Sequence, residues 1–175
     1  VYRRDEHFDA YVAKRLKHHS SADVFWGFQG SCHASLKAAN QLGMPSWCEL
    51  ATAHVTAAQR ILGEEARLQP KWAETIDNLV FPPDYQQRLE EEPHLAGKVI
   101  AASEFTKSTL LEVGIAAEKI KVLPLGCDIA HVPYREQGRS DLQQGPLKVL
   151  YAGTLTQRKG LSYLLEAVSA LRQSI

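Results

Sequence analysis

Short apolar runs alternate with longer amphipathic stretches along this chain. The stretches repeat their apolar residues at helical spacing, as Phe8, Val12 and Leu16 do in DEHFDAYVAKRLKHH. The apolar runs are DVFWGF, SWCEL, KVIAA and KIKVLPL. Parallel strands need crossovers of about a dozen residues, and the helical stretches have that length. The pattern therefore predicts an α/β fold with a parallel sheet.

Turn residues mark the ends of the predicted helices. Ser31 is placed to cap the helix CHASLKAANQLG, which ends on Gly43. Ser103 is placed to cap EFTKSTLLEVG in the same way. A helix that includes HVTAAQRILGEEARLQ stops before Pro70, and the pair Pro82-Pro83 starts another.

The regular alternation stops between Gly126 and Gly145, where polar residues, glycines and a proline suggest an interdomain linker. Beyond it, PLKVLYAG predicts a buried strand. The helix that follows has an apolar face of Leu161, Leu164, Leu165, Val168 and Leu171. We therefore expect residues 1–125 to form part of one domain, residues 126–146 the linker, and residues 147–175 the start of a second domain.

Composition narrows the class of protein. The chain has 175 residues, 45% of them hydrophobic and 23% charged, which is enough to build a core. Lys plus Arg equals Asp plus Glu at 20 each, so net charge gives no reason to expect nucleic-acid binding. Cys32, Cys48 and Cys127 form no C-x-x-C pair, which argues against a disulfide framework or a zinc site and fits a reducing cytoplasm.

The segment VLYAGTLTQRKGLSYLLEAV places two cations in a glycine turn between a strand pattern and a helix pattern. Gly153 and Gly160 would let the backbone approach a ligand, and Arg158 and Lys159 would add positive charge. Unpaired amide groups at the helix N-terminus would favour an anion such as a diphosphate. The alternative is that two exposed cations are solvated at a turn. Neither G-x-G-x-x-G nor a P-loop is present, which disfavours dinucleotide oxidoreductases and NTPases.

Three segments together resemble the domain junction of GT-B glycosyltransferases of family 4. They are VIAASEFTKSTLLEVGIAAEKIKVLPLGCD, the linker and VLYAGTLTQRKGLSYLLEAV. DVFWGFQGSCHASLKAANQLGMP and CELATAHVTAAQRILGEE resemble the family more loosely. The resemblance implies two Rossmann-like domains that move a sugar from a nucleotide diphosphate sugar to a sugar or lipid-linked acceptor, with retention and without cofactor or metal. Such enzymes act in glycan, polysaccharide or glycolipid synthesis.

The resemblance also implies roles for particular residues. Lys159 matches a lysine that contacts the donor diphosphate, with Arg158 and Gly153 in the same turn. Thr154 stands where many relatives have a second diphosphate-binding arginine, so Lys159 and the helix N-terminus are expected to carry more of the leaving-group charge. The expected cleft-lining residues are Gly126, Asp128, Ser103 and Glu104. For Ser103 and Glu104, the alternative is a helix cap and a first-turn charge.

His54 is the candidate catalytic residue, because family members often place a histidine facing the donor sugar after the strand that SWCEL resembles. The alternative is a surface histidine at a helix start. Gln29, Gly30 and Glu49 lie at predicted strand ends on one side of the sheet and are candidates for the acceptor side.

Charged clusters on the predicted helices have a more general interpretation. Arg15, Lys17 and His18-His19 could contact anionic lipid at the inner face of a membrane, and the alternative is a solvated helix face. Glu64-Glu65 and Glu90 to Glu92 are assigned to solvated faces.

Two other classes of protein stay open at this point: a GT-B nucleotide-sugar epimerase, which would lack an acceptor groove, and a non-catalytic nucleotide-binding module. The acidic pair that the family uses in its second domain is not found in the chain. We therefore expect these residues to be an internal fragment that transfers no sugar alone, with fast amide exchange across Val149 to Leu171.

Overall fold

The fold is built on a four-stranded, all-parallel sheet in the order β1-β2-β3-β4. The computed structural model describes residues 2–19, 21–77, 79–131 and 148–173. The strands are β1 (Phe25–Phe28), β2 (Ser46–Leu50), β3 (Lys98–Ala101) and β4 (Ile120–Val122). Each lies within a predicted apolar run, so the predicted parallel α/β fold is confirmed.

Helices connect the strands and cover the sheet. They are α1 (Tyr2–His19), α2 (His33–Gln41), α3 (Val55–Leu68), α4 (Pro83–Leu95), α5 (Glu104–Glu112) and α6 (Leu161–Gln173). Shorter 3-10 helices lie at Pro70–Thr75, Ala117–Lys119, Ile129–His131 and Gln157–Lys159. Helix α2 packs against both α1 and α4. None of the helices within the described ranges is both long and apolar enough to cross a bilayer.

One face of the sheet carries the apolar core. Cys48, Leu50, Val99 and Ala101 alternate along β2 and β3 and are fully buried, together with Leu36 of α2. Burial of apolar side chains is the main favourable contribution to folding, at roughly 25 cal/mol for each Å² of apolar surface removed from water.

The opposite face of the sheet is partly open. Trp26 and Phe28 of β1 are 43% and 60% exposed, and the Trp26 ring packs on Trp47 at 4.9 Å between centroids. The Trp26 indole N–H donates to Glu49 Oε2 at 3.0 Å. The side chain of Glu49 is therefore engaged on this face of the sheet.

Helix α2 begins differently from the prediction. Its N-cap residue is Cys32, and the Ser31 hydroxyl donates instead to the Phe28 carbonyl at 3.2 Å. The cap is supplied by α1: the Asp9 carboxylate accepts from the Ala34 amide at 2.7 Å and the Ser35 amide at 2.9 Å. A carboxylate at a helix N-terminus is favourable because it satisfies unpaired amides and faces the positive end of the helix dipole.

Glu92 was assigned to a solvated face, and that prediction is wrong. Its side chain is fully buried and accepts hydrogen bonds from the backbone amides of Gly30 and Cys32. Arg88, one turn earlier on α4, donates to Asp9 at 2.8 Å and lies 3.9 Å from Glu92. We refer to Asp9, Arg88 and Glu92 as the carboxylate network. It joins α1 and α4 to the loop between β1 and α2.

The strand predicted for PLKVLYAG does not form in its described part, residues 148–153. Val149 and Leu150 are 60% and 90% exposed. A parallel strand is stable only when a neighbouring strand satisfies its backbone, and no strand in the described ranges pairs with this segment. On the helix that follows, Leu165, Val168 and Leu171 are exposed. The division into two domains stays a prediction, and residues 132–146 of the predicted linker lie outside the described residues.

We expect Asp9→Asn to lower the free energy of unfolding by about 3 kcal/mol, because the new amide group would face backbone N–H donors and Arg88 would lose the carboxylate to which it donates. Urea denaturation followed by circular dichroism measures this change. Asp23→Asn is the matched control, because Asp23 is exposed before β1. If the two variants unfold at the same urea concentration, the carboxylate network does not hold the fold together.

Candidate functional site

A cavity of about 550 Å³ lies at the carboxyl edge of the sheet. Gln29 enters it directly after β1, Thr52 after β2, and Phe105 from the first turn of α5 after β3. Arg158 reaches the same cavity from the turn before α6. Ligands of open parallel sheets bind outside the carboxyl ends of the strands, so this is the candidate site.

Aromatic and aliphatic side chains form most of the cavity wall. Tyr2 and Tyr85 pack at 4.4 Å between ring centroids, and Phe81 lies 6.0 Å from Tyr2 and 5.8 Å from Tyr85. Ile61 and Leu62 of α3 and Leu89 of α4 also line the cavity. Burial raises the pKa of Tyr85, so its hydroxyl stays protonated.

Polar groups on the wall are few. The Gln29 side chain donates to the Leu89 carbonyl at 2.9 Å, which holds it against α4. Thr52 adds a hydroxyl. Among the described residues that line the cavity, Arg158 is the one with a charged side chain, and no ion pair in those residues neutralises it. Of the residues predicted for the site, the structure thus brings Gln29 and Arg158 together.

The turn that carries Arg158 is fixed to α3 through a buried glutamine. Gln157 is 1% exposed; its side-chain amide donates to Glu65 at 2.6 Å, and its carbonyl oxygen accepts from the Ser162 amide at 3.2 Å. Tyr163 also donates to Glu65, at 3.2 Å. The assignment of Glu65 to a solvated face is therefore wrong. One amide of the α6 N-terminus is already satisfied by Gln157, so fewer are open to an anion than the sequence suggested.

Other residues of the predicted diphosphate turn lie outside the cavity. Lys159 and Thr154 are exposed, and neither lines the cavity. The Thr154 carbonyl accepts from the Tyr151 hydroxyl at 2.7 Å. Gly160 takes a left-handed φ of 71°, as a residue that ends a 3-10 helix often does. A Cβ atom at Gly153 would lie 3.9 Å from the Lys159 Cγ atom.

His54 is the buried N-cap of α3 and does not line the cavity, although its neighbours Ala53 and Val55 do. It is 2% exposed; its amide donates to the Thr109 hydroxyl at 2.9 Å, and its Nδ1 accepts from the Thr56 amide at 3.4 Å. Burial lowers the pKa of His54, so the ring is neutral at pH 7. The residue starts a helix, as the alternative assumed, but it is not at the surface. Its catalytic role stays a prediction.

The predicted cleft-lining residues do not line this cavity. Ser103 caps α5, because its hydroxyl accepts from the Thr106 amide at 3.0 Å, and Glu104 is exposed and lies 3.6 Å from Lys107. Gly126 is exposed. Asp128 accepts from the Ala130 amide at 3.1 Å and contacts the His131 ring at 2.8 Å. Ser103 is thus a helix cap and Glu104 a first-turn charge, as the alternative interpretation of these two residues proposed.

Gly30 joins the carboxylate network to the cavity. Its φ is +91°, and a Cβ atom here would collide with the Tyr85 hydroxyl on the cavity wall. Its amide donates to the buried Glu92 carboxylate. Glycine is required because the chain both takes a left-handed turn and passes close to an aromatic ring.

Two cysteines that are distant in sequence meet in the core. The Cys32 and Cys48 sulfur atoms are 3.8 Å apart, and the ligand atoms of both cysteines and of Glu92 lie within 4.8 Å of one another, a spacing that could hold a metal ion. Both Glu92 oxygens, however, already accept backbone amides. The hydrogen bond to Cys48 and burial raise the pKa of the Cys32 thiol, so the thiol stays protonated in the metal-free protein. We treat the pair as core thiols.

Comparisons of the chain with protein families, curated proteins and solved structures found no match. Its function must therefore be inferred from its own residues.

We expect the protein to lose stability between pH 4.5 and about 7 through Glu92. Burial raises the pKa of Glu92 from its ordinary 4.5 to about 7, against the opposing effect of the Gly30 and Cys32 amides and of Arg88. The folded protein then holds this proton more tightly than the unfolded chain, so ionisation above pH 4.5 costs stability until about pH 7. The full effect is on the order of 3 kcal/mol.

Urea titrations of the parent and Glu92→Gln across this pH range measure the effect. The variant cannot ionise at this position, so the parent's stability relative to the variant should fall as the pH rises and level off above about 7. A difference that is constant with pH would show that Glu92 has an ordinary pKa.

Proposed function

We propose that the protein is a glycosyltransferase of GT-B type that moves a sugar from a nucleotide diphosphate sugar to an acceptor hydroxyl with retention. One observation supports this most directly: the turn that carries Arg158 opens into the same cavity as the carboxyl ends of β1 and β2. The resemblance of residues 98–168 to family 4 predicts the same meeting of a cationic turn and a sheet edge.

The chemistry of the cavity fits a departing diphosphate at one end. In such a transfer, negative charge grows on the leaving diphosphate as its bond to the sugar breaks. Arg158 presents planar N–H donors that match phosphate oxygens. Lys159 is the next residue of the turn and adds positive charge from outside the cavity.

Space remains for an acceptor beside this charge. Gln29 donates its N–H to Leu89, which leaves its side-chain oxygen as an acceptor for a hydroxyl group, and Thr52 can donate or accept. A volume of about 550 Å³ lies in the range of small-molecule sites.

We expect the protein to bind UDP or GDP in isothermal titration calorimetry, and Arg158→Ala to weaken that binding by about tenfold or more, as the loss of a charge-assisted hydrogen bond does. Lys159→Ala should have a smaller effect, because Lys159 lies outside the cavity. Arg15→Ala is the control, since Arg15 is an exposed arginine on α1.

Titration with UDP-glucose and GDP-mannose then distinguishes two kinds of site. A sugar-donor site should bind the sugar-bearing nucleotide at least as tightly as the nucleotide alone, whereas a nucleotide-binding module that excludes the sugar should bind it more weakly. If neither UDP nor GDP binds, or if Arg158→Ala binds like Arg15→Ala, the proposal is wrong.

A further inference from the structure

The thiols of Cys32 and Cys48 meet between α2 and the sheet, although the two residues are 16 positions apart in the chain. Their sulfur atoms are 3.8 Å apart, and both side chains are fully buried. Both cysteines are free thiols in this structure. The sulfur atoms of a disulfide lie about 2.05 Å apart, so the two atoms would have to approach by roughly 2 Å to form one.

A glycine on the neighbouring strand makes room for this contact. Gly27 of β1 is the strand partner of Cys48 on β2. A Cβ atom at Gly27 would collide with the Cys32 Cβ atom, so the Cys32 side chain fills the space that a side chain of β1 would take. Glycine inside a strand weakens the strand and is found where another part of the chain approaches closely. The Cys32 side chain therefore stands beside Cys48 as a side chain of β1 would.

Cys32 also occupies a position where helices favour other residues. It is the N-cap of α2, yet its side chain makes no capping hydrogen bond. Ser, Thr, Asp and Asn are preferred at this position because their oxygen atoms accept amides of the first turn. In this chain the Asp9 carboxylate supplies that cap from α1. The Cys32 thiol is thereby left to turn into the core, towards Cys48.

We propose that Cys32 and Cys48 form a reversible disulfide when the protein encounters hydrogen peroxide, and that this bond locks the loop between β1 and α2 onto β2. One sulfur attacks a peroxide oxygen, the O–O bond breaks, and a sulfenic acid forms as the thiol proton leaves in water. The second sulfur attacks the sulfenic sulfur, the S–O bond breaks, and the second thiol proton leaves in another water. The two thiols together lose two electrons to the peroxide. An added dithiol reverses the bond by thiol–disulfide exchange.

Burial makes this oxidation slow. The thiolate is the attacking form, and the hydrogen bond to Cys48 and burial raise the pKa of the Cys32 thiol. The first step therefore requires the start of α2 to open, which breaks the hydrogen bonds from the Gly30 and Cys32 amides to Glu92. Cys127 is exposed and should react faster, so the test needs a protein without it.

The variant Cys127→Ser keeps the proposed pair and serves as the parent for the test. The folded protein is incubated with hydrogen peroxide, its remaining thiols are alkylated, and it is digested with trypsin without reduction. Trypsin cuts after Lys37, which lies between the two cysteines, so a disulfide joins two peptides that are otherwise separate. We expect the joined peptides, the loss of two hydrogen atoms from the intact mass, and the return of both thiols after dithiothreitol.

Urea denaturation measures the lock. We expect the oxidised protein to unfold at a higher urea concentration than the reduced protein, because the bond closes the chain between residues 32 and 48 and restricts the unfolded state. Cys32→Ala in the same background is the matched control. It cannot form the bond, so peroxide should leave its urea midpoint unchanged, and circular dichroism confirms that it is folded.

Two alkylated cysteines and no joined peptide after peroxide treatment would overturn the proposal. So would a disulfide that forms in urea-unfolded protein but not in folded protein, because the native contact would then play no part. A disulfide that leaves the urea midpoint unchanged or lower rejects the lock. None of these results depends on nucleotide binding, so the proposal and the proposed function stand or fall separately.

Discussion

The carboxylate network of Asp9, Arg88 and Glu92 is the interaction on which the rest of the structure depends. The two carboxylates are fully buried, and they accept the amides of Gly30, Cys32, Ala34 and Ser35, which would otherwise have no partner at the start of α2. A buried charge is tolerated only when it is paired and hydrogen-bonded, so no member can be removed alone. Because the loop held in this way carries Gln29 and Gly30, the network also sets the position of the cavity.

The second constraint is the contact of Gln157 with Glu65. The side-chain N–H group of Gln157 donates to Glu65 on α3, and its side-chain oxygen accepts from the first turn of α6. Both polar atoms of this buried side chain are therefore hydrogen-bonded. The adjacent residue Arg158 is thereby directed to the cavity while its own side chain stays exposed. Arg158 lines the cavity because the neighbouring Gln157 is held in place by its hydrogen bonds.

The sequence allowed the strands and most helix boundaries to be predicted, because apolar periodicity and capping residues act over a few positions. It did not reveal the interactions that position the site. Glu92 meets Gly30 across 62 positions, and Glu65 meets Gln157 across 92, so local pattern made both glutamates resemble solvated residues. At the segment around Leu150, the sequence predicted a strand that does not form. Its residues favour a strand, but a strand also needs a neighbouring strand, which local sequence cannot supply. Gln29 was predicted because it directly follows a strand, and residues at the carboxyl edge of a parallel sheet converge. Arg158 was singled out by the two cations of its glycine turn, and it directly follows no strand among the described residues.

The apolar wall and the positive charge of the cavity come from different parts of the chain. The aromatic and aliphatic wall belongs to helices and loops fixed against the sheet, whereas the charge arrives with the separate turn before α6. A ligand with one anionic end and one apolar end can satisfy both only in one orientation, because reversing it would bury the anion against Phe81 and Leu89 and leave Arg158 facing hydrocarbon. The unequal polarity of the wall would therefore orient such a ligand even with few hydrogen bonds.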